Sequence, residues 1–481
     1  MKSLYESSAY SVFNNFERIS QVPRCSNHEE KISEFMYNFG QELGLETVKD
    51  EFGNVLITKE ATPGYEDHEA VILQSHIDMV CEKTEDSNHD FTCDPIELIV
   101  EDGFIHANNT TLGADDGIGV ALAMAILEDK DIQHPKIEAI FTTTEETGMD
   151  GALGLSKDLL KGKNLINIDN EEDNMIIVGC AGGVGAVLEH KLDKKDAYAE
   201  VTNFQIKVAG LRGGHSGTMI GESRANAIKI LNTILLKLKL VLKYSLAEIN
   251  GGSKHNAIPS SAKAVIAVDN KDLELLDKEF NNIVIEINDK YLKREVDLEL
   301  KLEKVEGNYT YIDDEVVKEI LNSLEMFPHG VNTTDKELEI VRSSNNLAIV
   351  KTEGDVFKIQ TSIRSSFGDD LEFLKNSVSN IADNFNYSIK FSDGYPMWVP
   401  NFDNHLLNVA KNSYKEIRNE EVEVAVIHAG LETGILSQKY PDMNMISMGP
   451  NIFDAHTPKE KLSVESTEFS FKLIKRIIKS L

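Results

Sequence analysis

Histidines and acidic residues follow several short apolar runs of this sequence, and these residue types bind metals and transfer protons. His76 and Asp78 come directly after the apolar run at 71–73. Residues two apart in a strand lie on the same face, so Asp78 can orient the His76 imidazole toward a metal. A lone histidine after a strand is usually structural, and it is the H-x-D spacing that favours a metal site here.

Two adjacent acids, Asp115 and Asp116, stand between glycines just ahead of the apolar segment 117–127. That segment predicts a buried helix, and one of the two acids is expected to cap it. Two acids flanked by glycines are more than a helix cap requires. We therefore treat this pair as a second group of candidate functional residues.

Three further groups occupy comparable places. Glu145 and Glu146 follow the strand-like run at 137–141, where one could bind a metal while its neighbour transfers protons. Asp169 follows another strand-like run, and His456 comes shortly after a third. Each signal is weak alone, but five groups at equivalent places are strong jointly.

The elements that must position these side chains alternate between strand-like and helix-like segments. This alternation predicts an α/β fold with a mixed, mostly parallel sheet flanked by helices. Ligands of open α/β sheets bind at the carboxyl edge of the strands, so the five groups are expected at one edge. Histidine and carboxylate ligands without thiols are typical of hydrolytic zinc or manganese sites.

The sequence pattern changes near residue 187, where strands with more alternating polar residues and long amphipathic helices begin, and the α/β pattern returns after residue 400. These two changes predict one α/β domain interrupted by another domain. We predict a first catalytic part at 1–186, an inserted α+β lid domain at 187–400, and a second catalytic part at 401–481. Within the insertion, the segment at 253–258 and the strand and helix after it resemble the segment at 343–348 and its successors. The lid domain is therefore expected to be duplicated.

Composition excludes several classes of function. The 481 residues include 49 Lys and Arg against 80 Asp and Glu, a formal net charge of −31. Such a chain repels phosphate backbones, which argues against nucleic acid as a partner. No apolar stretch approaches the ~20 residues of a membrane span, so we expect a cytoplasmic protein without a membrane partner. The cysteines form no CxxC pair, so neither a disulfide framework nor a thiolate zinc site is predicted; they are Cys25, Cys81, Cys93 and Cys180.

Five motifs together resemble the co-catalytic di-zinc peptidases, a superfamily that includes aminoacylase and glutamate carboxypeptidase. The resemblance is greatest to the aminoacyl-histidine dipeptidase branch (Xaa-His dipeptidase, peptidase D). It extends from near residue 1 to the C-terminus and includes the insertion. The motifs are SHIDMV, TLGADDGIG, TTTEETG, NIDNEE and FDAHTP.

The resemblance implies a role for each candidate. Asp115 would bridge two metal ions, Glu145 would be the general base, and Asp78 would be the acid behind His76. The peptide bond between Asp115 and Asp116 is expected to be cis, as is typical of this family. The implied metal ligands are His76, Asp115 and Asp169 for one ion and Asp115, Glu146 and His456 for the other.

The resemblance also implies substrate-binding residues in the inserted domain and after it. His215 matches a histidine that stabilises the tetrahedral oxyanion. Asn256, Arg364 and Gly430 match positions that bind the carboxylate and backbone of the substrate. A structural salt bridge is an equally compatible role for Arg364, but we favour substrate binding.

These roles imply a metallopeptidase with two divalent ions, zinc being favoured and manganese or cobalt also compatible. It would hydrolyse unblocked dipeptides, including the Xaa-His type, by a water activated between the metals whose proton Glu145 takes. Three alternatives stay open: a tripeptidase, an N-acyl-amino-acid hydrolase, and a catalytically silent peptide-binding protein. A monomer and a homodimer also both stay open.

Overall fold

The computed structural model describes residues 4–196, 200–336 and 340–481, which form two compact units. Unit 1 contains the described residues up to Cys180, together with Trp398–Val426 and Leu431–Leu481. Unit 2 contains the described residues of Ala181–Met397, together with Ile427–Gly430. Strands and helices are numbered below along the whole chain.

Unit 1 is built on an eight-stranded mixed sheet. Its strands are β1 (Glu46–Lys49), β2 (Val55–Lys59), β3 (Val71–His76), β6 (Ile137–Thr142), β7 (Asn164–Asn167), β8 (Met175–Cys180), β20 (Glu423–Ile427) and β21 (Asn444–Ser447). They are ordered β1-β2-β6-β3-β7-β21-β8-β20, and the central strands β6, β3, β7 and β21 pair in parallel. A separate antiparallel sheet consists of β4 (Leu98–Glu101), β5 (Phe104–Ala107), β22 (Ile452–Phe453) and β23 (Lys461–Ser463).

The helices of unit 1 are α1 (Tyr10–Ser20), α2 (Glu30–Glu42), α3 (Ala114–Glu128), α4 (Asp150–Gly154), α9 (His405–Arg418), α10 (Glu432–Lys439) and α11 (Val464–Ser480). The segment from Gly117 to Leu127 of α3 is buried on every side, because it packs against both α1 and β3. This all-round burial explains why its sequence is apolar without the one-sided pattern of a surface helix. The core of unit 1 thus forms around α3.

Unit 2 contains a nine-stranded antiparallel sheet, a short two-stranded ribbon and four helices. Its strands are β9 (Gly182–Lys191), β10 (Lys194–Lys195), β11 (Val201–Ala209), β12 (Tyr244–Gly251), β13 (Ala262–Asp269), β14 (Glu299–Lys304), β15 (Tyr311–Ile312), β16 (Gly330–Asp335), β17 (Ile340–Glu353), β18 (Val356–Ser365) and β19 (Ser388–Phe391). The helices are α5 (Ala227–Val241), α6 (Leu273–Tyr291), α7 (Asp314–Met326) and α8 (Gly368–Asn384). The main sheet is ordered β14-β11-β13-β12-β17-β18-β9-β19, with β16 beside β17.

The main sheet of unit 2 consists of two halves with the same order of elements. One half contains β11, α5, β12, β13, α6 and β14, and the other contains β9, α7, β17, β18, α8 and β19. The halves meet where β12 pairs with β17. Because β9 precedes the first half in the chain and α7 follows it, one half is inserted into the other. The expected duplication therefore appears as a repeated β-α-β-β-α-β order.

The predicted α/β fold, with a mixed sheet flanked by helices and an α+β insertion, is confirmed. Parallel pairing joins β6, β3, β7 and β21 at the centre of the unit 1 sheet, whereas the pairings toward β1 and between β21 and β8 are antiparallel. Among the residues that the structure describes, no helix is both long enough and apolar enough to cross a bilayer.

One prediction from the cysteines is wrong, because Cys25 and Cys81 form a disulfide. Cys25 pairs with Met79 in an isolated parallel bridge, and this pairing brings the two cysteines to a Cα–Cα distance of 5.7 Å. The separation of 56 residues carries no signal of this proximity. Cys93 is an exposed free thiol and Cys180 a buried one.

Thiol titration tests this pairing. Without reductant, the native chain should react rapidly with Ellman's reagent at Cys93 alone, because burial protects Cys180. After denaturation two thiols should react, and after reduction four. Four reactive thiols in the denatured, unreduced chain would contradict the disulfide. As a control, Cys25→Ser should leave three reactive thiols in the denatured, unreduced chain.

Candidate metal centre

The carboxyl ends of three neighbouring parallel strands in unit 1 carry the first candidates. His76 is the last residue of β3, which lies between β6 and β7. Glu145 and Glu146 follow the end of β6, and Asp169 follows the end of β7. The sheet edge therefore holds these side chains close together, as parallel strands with adjacent ends require.

His76 faces two of the acids. Its Nε2 atom lies 3.2 Å from Asp115 Oδ1 and 3.4 Å from Asp169 Oδ1. The His76 side chain is only 1% exposed, and that of Asp169 is 7% exposed. One imidazole nitrogen thus meets an oxygen of each of two largely buried carboxylates.

His456 forms a second group of the same kind. Its Nε2 atom lies 2.9 Å from Asp115 Oδ2 and 2.9 Å from Glu146 Oε1. His456 has a left-handed backbone (φ 63°) in the loop between β22 and β23. This loop places a residue from the C-terminal part of the chain beside the acids of the N-terminal part.

Asp115 stands between the two histidines. Its Oδ1 faces His76 and its Oδ2 faces His456, as a carboxylate that bridges two cations would. The Asp115–Asp116 peptide bond is cis, as the resemblance implied. Neither residue has helical dihedral angles, so the regular part of α3 begins at Gly117.

The structure also brings together acids outside the implied ligand sets. Potential ligand atoms of His76, Asp116 and Asp169 lie within 4.8 Å of one another, and so do those of His76, Glu145 and Glu146. Asp116 Oδ2 accepts the backbone N–H of His76 at 3.2 Å. That hydrogen bond ties the start of α3 to β3.

Asp78 is held by hydrogen bonds from the loop that follows β6. It is fully buried, and it accepts the backbone N–H groups of Glu145 at 3.1 Å and Glu146 at 3.3 Å. The Ser26 hydroxyl donates a third hydrogen bond at 2.8 Å. Asp78 Oδ1 also lies 3.3 Å from His76 Nδ1. One carboxylate thus orients the imidazole and the two glutamates together.

Burial and repulsion between neighbouring carboxylates raise the pKa of two of these acids, Asp169 and Glu145. Burial raises the pKa of Asp169 to about 7, an increase that Asp115 adds to and His76 opposes. Burial also raises the pKa of Glu145 well above its usual value, with the charges of Asp169 and Glu146 adding to the increase. Carboxylates crowded in this way are stabilised by a positive charge among them.

The donor set fits divalent cations better than it fits hydrogen bonds alone. A histidine Nε2 carries at most one hydrogen, yet the His456 nitrogen lies 2.9 Å from oxygens of both Asp115 and Glu146. Glu146 Oε1 is buried and accepts no hydrogen bond from any described residue. Two imidazoles and three carboxylates without thiols match the ligand chemistry of zinc, manganese or cobalt.

The remaining candidates lie in unit 2. The His215 side chain is partly exposed, and its Nδ1 accepts the backbone N–H of Thr218 at 3.3 Å. The next residue, Ser216, donates its N–H to the backbone oxygen of Asn256 at 2.8 Å, and His215 pairs with Ala257 in an isolated bridge. His215 and Asn256, distant in the sequence, therefore come from two paired segments of one unit.

Arg364 and Gly430 meet at a tyrosine that the sequence analysis missed. Arg364, in β18, is 7% exposed, and its Nη1 donates a hydrogen bond to the Tyr395 hydroxyl. A Cβ atom on Gly430 would lie 2.6 Å from the Tyr395 ring, so only glycine allows this approach. Arg364 forms no ion pair within the described part of the chain, which argues against a structural salt bridge.

Two buried glutamates of unit 1 were also missed. Glu432 is fully buried and accepts hydrogen bonds from the Gln74 amide at 2.6 Å and the Thr142 hydroxyl at 2.5 Å. Glu460 is 2% exposed and accepts four backbone N–H groups. Both lie within five residues of a candidate, but only the tertiary structure reveals their burial.

Residues 72–480 match the sequence profile of Peptidase family M20/M25/M40. The chain belongs to this family. The matched range begins within β3 and extends through unit 2 into α11, the last helix of unit 1.

Two relatives match over the full length of the chain. The chain is 33% identical to the cytosol non-specific dipeptidase of Escherichia coli, covering 100% of this chain and 99% of that protein. It is also 33% identical to the aminoacylhistidine dipeptidase of Vibrio alginolyticus, whose crystal structure superposes with a TM-score of 0.89 and covers 100% and 99% of the two chains. A tripeptidase from Staphylococcus aureus, 16% identical with a TM-score of 0.57 and coverage of 98% of each chain, shares the fold.

Asp78→Asn tests the support of His76. The amide keeps the size of the side chain but removes its charge and turns one acceptor into a donor that faces a backbone N–H. Because supporting carboxylates keep metal-binding histidines oriented, we expect the affinity for divalent metal to fall by roughly 10–100-fold. Isothermal titration of chelator-treated protein with zinc measures this loss.

Ser26→Ala is the matched control for that variant. It removes a single hydrogen bond to Asp78 and leaves the charge of the carboxylate in place. Its metal affinity should change by less than about threefold, because the Asp78 carboxylate keeps its charge and the backbone N–H groups of Glu145 and Glu146 still orient it. Equal losses in the two variants would refute a special role for the Asp78 charge.

Proposed function

We propose that this protein is a metal-dependent dipeptidase that hydrolyses unblocked dipeptides, including the Xaa-His type. The observation that carries the proposal is the Asp115 carboxylate, whose two oxygens face the imidazoles of His76 and His456. Full-length similarity to two dipeptidases supports the class of substrate. Membership in a peptidase family supports the reaction, which is hydrolysis of a peptide bond.

In this proposal two divalent ions bind around Asp115, with zinc favoured and manganese or cobalt compatible. When bound, such ions lower the pKa of water and polarise a carbonyl group. Asp115 would serve both ions, and its position between the two histidines supports that role. The ligands of one ion would be His76, Asp115 and Asp169, and those of the other Asp115, Glu146 and His456.

Glu145 would be the general base. Its backbone N–H is fixed by Asp78, and its carboxylate lies within the cluster formed with His76 and Glu146. Burial raises the pKa of Glu145 well above its usual value, so this carboxylate has the proton affinity that a base needs. Glu145 would take a proton from the attacking water and return it to the leaving amine.

His215 would stabilise the oxyanion of the tetrahedral intermediate. Because its Nδ1 accepts the Thr218 N–H, the neutral ring carries its proton on Nε2. An Nε2–H group is a hydrogen-bond donor suited to a developing negative charge on oxygen. The turn from His215 to Thr218 thus sets the tautomer that this role requires.

Arg364, Asn256 and Gly430 would bind the carboxylate and backbone of the substrate. Arg364 is a buried guanidinium that forms no ion pair with a described acid, and this supports a ligand carboxylate as its partner. A guanidinium can bind a carboxylate through two parallel hydrogen bonds. If the free N-terminal amine of the substrate also pairs with acids of the metal centre, the substrate is limited to very short peptides.

We further propose that the protein acts in the cytoplasm. The support is its similarity to the cytosol non-specific dipeptidase of Escherichia coli. The Cys25–Cys81 disulfide bears on this proposal, because reductants of the cytoplasm usually keep cysteines as thiols. Free thiols trapped with an alkylating reagent at lysis, and located by mass spectrometry of the purified protein, report the state of the pair in cells.

Paired glutamine substitutions separate the base from the ligands. Glu145→Gln should keep two equivalents of metal while kcat falls by roughly 10²–10⁴-fold, because the amide cannot take a proton. Glu146→Gln should lose metal as well as activity. Metal analysis by mass spectrometry and dipeptide turnover measure both properties. Wild-type turnover by Glu145→Gln would refute the mechanism. Loss of metal in Glu145→Gln but not in Glu146→Gln would instead make Glu145 the ligand and Glu146 the base.

A substrate panel tests the class of peptide and the role of Arg364. The wild type should cleave a free dipeptide at least about tenfold more efficiently than its C-terminal amide, because each lost charge-assisted contact costs about 1.5–3 kcal/mol. Arg364→Met should abolish this preference, mainly through KM. Arg342→Met is the control, since Arg342 pairs with Asp370 at 2.8 Å and should leave the preference intact.

The same panel includes a tripeptide and an N-acetyl amino acid. Faster turnover of the tripeptide would identify a tripeptidase, and faster turnover of the N-acetyl compound would identify an acyl-amino-acid hydrolase. Binding of dipeptides without any turnover in the metal-loaded wild type would identify a peptide-binding protein. Each of these results would overturn the dipeptidase proposal.

A further inference from the structure

Glu460 lies four residues after His456, in the same loop, and its carboxylate is 2% exposed. It binds no side chain through a hydrogen bond in the described structure. It instead accepts four consecutive backbone N–H groups. Oε2 accepts those of Leu112 at 2.8 Å and Gly113 at 3.0 Å, and Oε1 accepts those of Ala114 at 2.7 Å and Asp115 at 3.3 Å.

Four successive N–H groups can converge on one carboxylate only if the backbone curls around it. Gly113 has a left-handed conformation (φ 67°), which turns the N–H groups on either side toward a common centre. A Cβ atom on Gly113 would lie 2.5 Å from the Arg24 guanidinium, so the close packing also requires glycine. The glycine that precedes the two acids is thus explained by a carboxylate from the other end of the sequence.

Arg24 holds the opposite side of the same segment. It is 2% exposed, and it donates hydrogen bonds to the backbone oxygens of Gly113 and, at 3.0 Å, Asp78. The segment before Asp115 is therefore fixed through its N–H groups by Glu460 and through a carbonyl by Arg24. Charge-assisted hydrogen bonds of this kind are stronger than neutral ones.

We propose that Glu460 is a positioning residue that holds the Asp115 carboxylate at a fixed place relative to His456. The inference rests on the proposed ligand roles of Asp115 and His456. Because Glu460 belongs to the His456 loop and binds the Asp115 segment, one side chain couples two ligands that are 341 residues apart in the sequence. Displacement of either loop would therefore change the 2.9 Å distance between Asp115 Oδ2 and His456 Nε2.

The geometry distinguishes this role from general stabilisation. The four N–H groups end at that of Asp115 itself, so the hydrogen bonds act on the ligand and on the three residues before it. A glutamine at 460 would present an NH2 group to one pair of these N–H groups, and donors facing donors repel. The Asp115 segment would then shift away from the His456 loop.

Glu138 provides a matched control in the same unit. It is a 3% exposed carboxylate at the start of β6, at the opposite end of that strand from Glu145. It accepts the backbone N–H groups of Lys161 at 2.8 Å and Gly162 at 3.0 Å. Glu138→Gln therefore disturbs a buried carboxylate with backbone donors without touching the candidate ligands.

The experiment compares Glu460→Gln, Glu138→Gln and the wild type as full-length, chelator-treated proteins titrated with cobalt(II). The readouts are the dissociation constants, the visible absorption band of bound cobalt, and the urea midpoint without metal. We expect Glu460→Gln to raise the weaker cobalt Kd by roughly 10–100-fold and to change the band. Glu138→Gln should lower the urea midpoint and leave both cobalt readouts unchanged.

A wild-type Kd and band in Glu460→Gln would overturn the inference, and so would equal changes in Glu138→Gln. If Glu460→Gln does not fold, Glu460→Asp decides, because it keeps the charge and shortens the side chain by one methylene. A raised Kd in folded Glu460→Asp supports positioning, and a wild-type Kd refutes it.

Asp115→Asn separates this inference from the proposed function. If Asp115→Asn binds cobalt as the wild type does, the ligand assignment itself is wrong. If Asp115→Asn loses cobalt while Glu460→Gln retains it with wild-type affinity, the ligand assignment stands and only the positioning role of Glu460 fails.

Discussion

The main physical constraint on unit 1 is the repulsion between carboxylates that are buried close together. Five acids lie at one end of the central parallel strands, with two histidines among them. They are Asp78, Asp115, Glu145, Glu146 and Asp169. Like charges that are removed from water repel strongly unless a cation or a hydrogen bond compensates them. The strand ends bring the acids together, so the fold must supply that compensation.

The fold supplies part of the compensation through backbone N–H groups. Asp78 accepts those of the two glutamates, Asp116 accepts that of His76, and Glu460 accepts four from the segment before Asp115. Each of these carboxylates is oriented by a chain segment that also carries a candidate ligand. The acids of the site thus divide into those that accept backbone N–H groups and those that face the imidazoles of His76 and His456.

Unit 2 is organised by duplication of a structural unit. Its sheet repeats one β-α-β-β-α-β order twice, and the chain inserts one copy between the first strand and first helix of the other. The candidate residues come from both copies, since Asn256 follows β12 and Arg364 lies in β18. The second copy also contributes Tyr395, which follows β19 and meets both Arg364 and Gly430. Duplication thus provides a scaffold on which the two halves carry different side chains.

The local pattern of the sequence was sufficient for the class of fold and for the positions of many elements. The runs at 71–73 and 137–141 become β3 and β6 because apolar stretches bounded by polar residues favour buried strands, and 117–127 becomes the helical core of α3. It was also sufficient to place His76, Glu145 and Asp169 at one edge, because the ends of parallel strands share an edge. The cis bond at Asp115–Asp116 followed from family resemblance and not from the pattern.

The sequence by itself determined which side chains are able to bind metals or transfer protons, and which strands carry them. Both can be read from neighbouring residues. Only the tertiary structure decided which acids accept backbone N–H groups and which face the two histidines. Glu460, Glu432 and Tyr395 have ordinary sequence surroundings, and the Cys25–Cys81 pair crosses 56 residues without a motif. Their roles depend on burial and on partners far away in the chain, and these arise from packing, which no local spacing records.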